Sequence, residues 1–212
     1  LLSRYNRNAN NPGTFPRIKE IEEIVCRIEK ASSIESILGH EGSAARLYWE
    51  GFRIFLRGDV KFEKRIFHPS PDPVNALLSF GYSFLAREMQ AVLESLGLDP
   101  YIGFYHTVTY GRASLSLDLI EPLRHWFIDS LVLKLFNKRI LAEDDFYRND
   151  ESGGMYLHSS SIKKFIKFYE EAADEKNRVH GFDEPKNARE MLWKIAESFK
   201  KAVKGEGVFK AF

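Results

Sequence analysis

Apolar residues recur at helical spacing along almost the whole chain, and this periodicity leaves room for little but a set of packed helices. Over residues 17–30, Ile18, Ile21, Ile24, Val25 and Ile28 fall together, while Lys19, Glu20, Glu22, Glu23 and Arg27 take the other side. A second helix starts near Ser32 or Ser33, either of which can cap it, and runs to Phe55. Gly58-Asp59 marks a break, and the proline-rich FHPSPDPVNALL leads into a long apolar helix over residues 73–96, stopped at Gly97. YIGFYHTVTYGRAS reads as an aromatic loop, followed by a helix to Asn137 and an acidic loop, AEDDFYRNDESGG. A short extended piece, a helix from Ser160 and a last helix over NAREMLWKIAESFKKAVKG, stopped at Gly205, complete the chain. Six or so helices with almost no strand signal predict an all-α, multi-helix bundle. Residues 1–16 lack periodicity and read as an arm or linker, leaving residues 17–212 as the helical domain.

Charge and cysteine content exclude several classes. The 31 Lys and Arg stand against 30 Asp and Glu, so no global excess points to nucleic acid and any such surface must be local. Of the 212 residues 44% are hydrophobic, enough for a real core and against disorder. Cys26 is the single cysteine, which rules out a disulfide framework and a cysteine-based zinc finger and suits a reducing compartment. No stretch approaches the ~18 uninterrupted apolar residues of a membrane span. The expectation is a soluble, cytoplasmic protein with no membrane partner.

The informative residues are polar ones placed on apolar segments. Glu41 falls on the stripe formed by Ile37, Ala45, Tyr48 or Trp49, and Phe52, which aims a carboxylate inward. An unpaired buried carboxylate costs roughly several kcal/mol, so it must neutralise, pair or bind a cation; an ion pair with Arg46 or Arg112 is the plain alternative. HEGSA does not complete a zinc-protease motif, which needs a histidine at Ala44. Asp118, Glu121 and His125 lie along one side of a nearly all-apolar helix, where a solvated face is one reading and a cation between the two carboxylates is another. Pro122 either starts a helix there or removes one of its hydrogen bonds. His106 sits in a loop among Phe104, Tyr105 and Tyr110 and is structural taken alone. Taken together, Glu41, His106, Asp118 and Glu121 offer one nitrogen and three carboxylates, a set suited to Mn²⁺ or Mg²⁺ with open positions for water and phosphate.

The blocks SIESILGHEGSAARLYWEGF, PDPVNALLSFGYSFL, GFYHTVTYGRASLSLDLIEPLRHWFIDSLVLKLFNK and MYLHSSSIKKFIKFYEE resemble, in order and spacing, the C-terminal helical domain of the Cas-one family, the CRISPR-associated integrase and endonuclease of spacer acquisition. The resemblance implies catalytic residues Glu41, His106, Asp118 and Glu121, with Glu41, His106 and Glu121 as metal ligands and Asp118 orienting a ligand or joining the coordination. It implies attack of a DNA 3′-hydroxyl, or of water, on a phosphodiester, with Mn²⁺ or Mg²⁺ polarising the phosphate. Double-stranded and branched DNA, Cas-two and a second copy of the full-length chain are the implied partners. Members of the family usually begin with a β-rich domain that nothing in residues 1–30 resembles, so the chain is expected to be the helical domain without it.

Arg46, Arg53, Arg57, Arg112 and Arg124 flank the acidic residues and are the expected phosphate contacts, with Arg46 or Arg112 alternatively neutralising the carboxylates. Lys163, Lys164, Lys167, Lys200, Lys201 and Lys204 read as solvated faces, and Asn75 and Tyr82 match family positions without an evident role. The rival reading is a non-catalytic helical DNA-binding or assembly module whose acidic cluster is an ion-pair network. A di-iron bundle is excluded by the want of paired Glu-x-x-His motifs.

Overall fold

The computed structural model describes residues 1–3, 5, 15–57, 59–105, 109–179 and 182–209. Its described elements are α1 (Phe15–Ile28), α2 (Ile34–Phe55), α3 (Pro73–Ser95), α4 (Ser114–Leu123), a π turn (Arg124–Ile128), α5 (Asp129–Asn137), a short 3₁₀ turn (Glu143–Asp145), β1 (Phe146–Arg148), β2 (Met155–Leu157), α6 (Ser159–Asp174) and α7 (Ala188–Val203). The fold is all-α apart from one small antiparallel hairpin that pairs Phe146 with Leu157 and Arg148 with Met155. Its first strand lies in the acidic stretch read from sequence as loop. Among the described residues no helix is long and apolar enough to cross a membrane.

Internal packing divides the chain into two compact units, Leu1–Ala76 with Leu133–Leu157, and Leu77–Val132 with His158–Phe212. In the first, α1 packs on α2. Ser33 caps α2 by accepting a bond from the Ser36 N–H at 3.2 Å. Glu50 joins the two helices, accepting from Arg17 Nε at 3.2 Å and Arg46 Nη1 at 2.6 Å. Burial pushes the Glu50 carboxyl upward, but the bonds from Arg46 and Arg17 prevail and hold it below the ordinary carboxylate range. Phe52 is fully buried between Trp49 and Phe62, with ring centroids 5.2 and 5.5 Å away.

Two asparagines complete this unit. Asn75 is fully buried; its Oδ1 accepts from Arg65 Nη1 and Ile66 N, each at 2.9 Å, and its Nδ2 donates to Lys64 O and Asp72 Oδ2. Its role is to satisfy the backbone of the turn that delivers α3. Asn137, at the end of α5, donates to Phe55 O at 2.9 Å and accepts from Arg57 N at 2.7 Å, fixing the chain where α2 ends.

The second unit is built on residues apolar enough to be buried from every side. Leu77, Leu78, Leu85, Met89 and Leu93 of α3 are fully buried, as are Leu119, Ile120 and Leu123 of α4 and Phe165 and Tyr169 of α6. Helix α7 packs against both α6 and α4. Tyr169 carries Phe84 and Phe127 on its ring, with centroids at 4.7 and 5.1 Å, and donates its hydroxyl to Glu88 Oε2 at 2.8 Å. Burial, then the charge of Glu88, drives its ionisation well above the ordinary tyrosine value. Arg189 of α7 joins three carboxylates, Glu88 of α3 and Glu170 and Asp174 of α6.

Candidate functional site

The aromatic loop and α4 form a local structure in which Asp118 is the fixed point. Asp118 is buried, and its Oδ2 accepts the backbone N–H groups of Phe104 at 2.7 Å and Tyr105 at 3.0 Å. A carboxylate accepting two amide donors is a charge-assisted anchor, and it sets the loop immediately before His106. Gly103 makes the approach possible: a Cβ there would lie 2.7 Å from Ser114 Cβ and 2.8 Å from Asp118 Oδ2. Phe104, itself largely exposed, stacks on Phe199 of α7 at 5.5 Å and meets Phe209 at 6.1 Å, which ties the loop to the last helix as well.

Glu121 stands one turn further on. Its side chain is 37% exposed, and Oε1 accepts Arg124 Nη1 at 2.5 Å. The Arg124 side chain is 17% exposed and lies over the Tyr82 ring, 4.6 Å from the centroid. Tyr82 donates its hydroxyl to Oδ1 of the fully buried Asp129, whose Oδ2 meets His125 Nδ1 at 3.0 Å. The π turn builds this chain of contacts. Pro122 has no N–H for the helical ladder, yet Arg124 N still reaches Ile120 O in the ordinary register; the step comes further on, where Asp129 N donates to Arg124 O across five residues instead of four. Tyr82 thereby acquires a role the sequence did not disclose, as the platform under Arg124.

The remaining expected residues are placed as follows. Glu41 is exposed, against the inward aim read from sequence. The buried residues of α2 are Leu47, Gly51, Phe52 and Phe55, all in its C-terminal half; Glu41 lies within about 20° of Phe52 round the helix, but the N-terminal half that carries it is uncovered among the described residues. Ile37 and Leu38, its neighbours toward the N-terminus, are exposed too. His106 lies outside the described residues. Arg46 is exposed and paired with Glu50, not Glu41; Arg53 and Arg57 are exposed; Arg112 is half-buried. Arg124 is turned inward onto Glu121 and Tyr82.

Among the described residues no three His, Cys, Asp or Glu side chains converge on one point. What is described suits a cation all the same: Glu121 is a hard, solvent-reachable carboxylate that already holds a positive group against Oε1, and Oε2 accepts no hydrogen bond among the described residues. Asp118, with Oδ2 committed to two amides, is placed to orient the loop. Glu41 and Glu121 fall in different packing units.

Over residues 1–171 the sequence matches the family of CRISPR associated protein Cas1. The chain belongs to the Cas1 family. It is 41% identical over 182 residues to the CRISPR-associated endonuclease Cas1 of Leptospira interrogans, covering 82% of this chain and 71% of that protein. It is 40% identical over 147 residues to CRISPR-associated endonuclease Cas1 1 of Thermodesulfovibrio yellowstonii, covering 69% of this chain and 46% of that one. The chain thus spans about half the length of several curated Cas1 relatives it matches. Among solved structures, a Cas6-RT-Cas1–Cas2 complex superposes with a TM-score of 0.83 at 25% identity, covering 98% of this chain and 23% of that one. A casposase bound to integration product shares the fold, with a TM-score of 0.77 at 24% identity over 87% of this chain and 55% of that one.

Proposed function

We propose that this Cas1-family chain carries the catalytic helical part of a metal-dependent DNA endonuclease and integrase that inserts spacers into a CRISPR array. The observation that carries the reading is the division of labour along α4. Asp118 spends its charge on the amides that lead into His106, while Glu121, one turn on, keeps a solvent-reachable carboxylate. Glu121, His106 and Glu41 would hold the Mn²⁺ or Mg²⁺. When bound, the cation supplies charge to a phosphodiester and lowers the pKa of an attacking hydroxyl. The protein's own part is to fix the histidine-bearing loop through Asp118 and to present carboxylates of matching hardness. Exposed Arg53 and Arg57 offer sequence-independent phosphate contacts, with Arg46 and Arg112 as further candidates. The names of the relatives support nuclease chemistry. The partners proposed are branched and double-stranded DNA, Cas2 and a second copy of the full-length chain, acting in the cytoplasm.

The test is Mn²⁺-dependent nicking of branched DNA together with Mn²⁺ titration by calorimetry. Glu121→Gln should abolish metal binding and nicking; Asp118→Asn should weaken metal binding less yet still lower nicking; His106→Ala should lose the Mn²⁺-induced rise in melting temperature. Equal Mn²⁺ affinity in Glu121→Gln and the parent would refute the metal assignment. One observation favours the rival, a non-catalytic helical module: Glu121 is ion-paired with Arg124. That reading requires branched DNA to bind without being cut at any Mn²⁺ concentration.

A further inference from the structure

Arg124 is a half-buried cation on the carboxylate proposed to receive a metal, and the manner of its binding suggests a purpose beyond neutralising charge. Its guanidinium makes one contact with Glu121, Nη1 to Oε1 at 2.5 Å, not the two parallel bonds an arginine fork can give a carboxylate. Its Nε is buried and has no hydrogen-bond partner. Nothing therefore locks the pair, and a buried N–H is left unsatisfied, a cost borne in this arrangement. The guanidinium plane is held independently of Glu121. It lies on the Tyr82 ring at 4.6 Å, Tyr82 is held by Asp129, and the Asp129 N–H is bonded to the carbonyl of Arg124 across the π turn. Arg124 can lose Glu121 and keep its seat. Glu121, more exposed than Arg124 at 37% against 17%, is the partner that solvent and ions can reach.

We propose that Arg124 is a displaceable internal counter-ion, holding Glu121 in the metal-free protein and competing with a divalent cation for Oε1. The inference rests on Glu121 being a metal ligand, as proposed above. Two cations cannot share one carboxylate oxygen at contact distance without mutual repulsion, so each metal-binding event must displace the guanidinium or forgo Oε1. Arg124 thereby sets how tightly the metal binds and keeps the carboxylate paired until the metal arrives. It acts as a positioning residue, distinct from the ligands.

The test uses the full chain and Mn²⁺ alone. Arg124→Gln should bind Mn²⁺ about three- to tenfold more tightly by calorimetry, because the internal competitor is gone. In the metal-free state a double-mutant cycle of Arg124→Gln with Glu121→Gln should show coupling in urea unfolding, which a distant charge effect would not give. Arg124→Lys, which keeps the charge but loses the planar contact with Tyr82, should bind Mn²⁺ with an intermediate gain and serves if the glutamine variant does not fold. Unchanged or weaker Mn²⁺ affinity in both arginine variants, with Glu121→Gln abolishing binding, overturns the competition and leaves the metal site standing. If Glu121→Gln binds Mn²⁺ as the parent does, or the parent does not bind it, the metal site and the competition fall together.

Discussion

Gly103 decides how closely the aromatic loop can lie on α4. An alanine there would place its methyl 2.7 Å from Ser114 Cβ and 3.0 Å from the Ser114 carbonyl carbon, so loop or helix must give way. Gly103→Ala is expected to cost about 1–3 kcal/mol in urea unfolding, the usual range for overpacking, and to weaken Mn²⁺ binding by moving the segment that precedes His106. Asp118→Ala removes the acceptor of two amides and should destabilise by about 1.5–3 kcal/mol; Asp118→Asn, whose carbonyl still accepts, should lose less. A thermal or urea series over the three variants checks this order. At this scale Asp118 could be singled out as a carboxylate on an apolar helix, but a solvated face or a cation was the expectation there, and the two loop amides that hold it were not legible. Nor was the exposure of Glu41. Periodicity shows that a helix has an apolar stripe, but how much of its length becomes covered depends on neighbours elsewhere in the chain, and on α2 burial begins only at Leu47, leaving Ile37, Leu38 and Glu41 exposed.

Among the elements, α7 shows why helix limits could be read in advance. Asn187 Oδ1 accepts the Glu190 N–H at 2.8 Å and Glu190 Oε2 accepts the Asn187 N–H at 3.0 Å, a reciprocal cap written in four residues of sequence. Asn187→Ala should cost about 1 kcal/mol of stability. The Asn187 N–H, with nearby lysines, draws the Glu190 carboxyl below its ordinary value. A group depressed in this way stabilises the fold above the unfolded carboxyl value, and the contribution disappears as pH falls through the lower folded value. Glu190→Gln should therefore flatten the acid side of the melting-temperature profile while leaving the slope above neutrality unchanged. Gly97 and Gly205, both with φ near 74°, mark helix ends where the sequence placed them. The π turn was illegible because one extra residue in a mostly apolar run leaves the pattern almost unchanged, and Pro122 fits a helix start equally well. Strands of three residues such as β1 are too short to display alternation.

For the whole molecule, ion pairs at long sequence range matter more than isolated surface pairs. Arg189 reaches Glu88, 101 positions away, together with Glu170 and Asp174. Arg189→Met leaves three carboxylates facing one another and should destabilise by about 1–2 kcal/mol near neutral pH, more than a lone exposed pair. Urea unfolding of the variant beside the parent at neutral pH tests this. The two-unit arrangement has no signature in composition, because its boundaries at Ala76 and Val132 fall inside α3 and α5 and no glycine- or proline-rich linker marks them. Neither unit is a continuous stretch of chain. On the ribosome, residues up to 76 emerge first, but the part of their unit that begins at Leu133 follows only after residues 77–132 have been made. At about 5–20 residues per second that wait is roughly 3–11 s, during which the end of α2 lacks the return segment that Asn137 pins to the backbone of Phe55 and Arg57. For those seconds the first unit is incomplete, and slowed translation between the two boundaries would lengthen the wait.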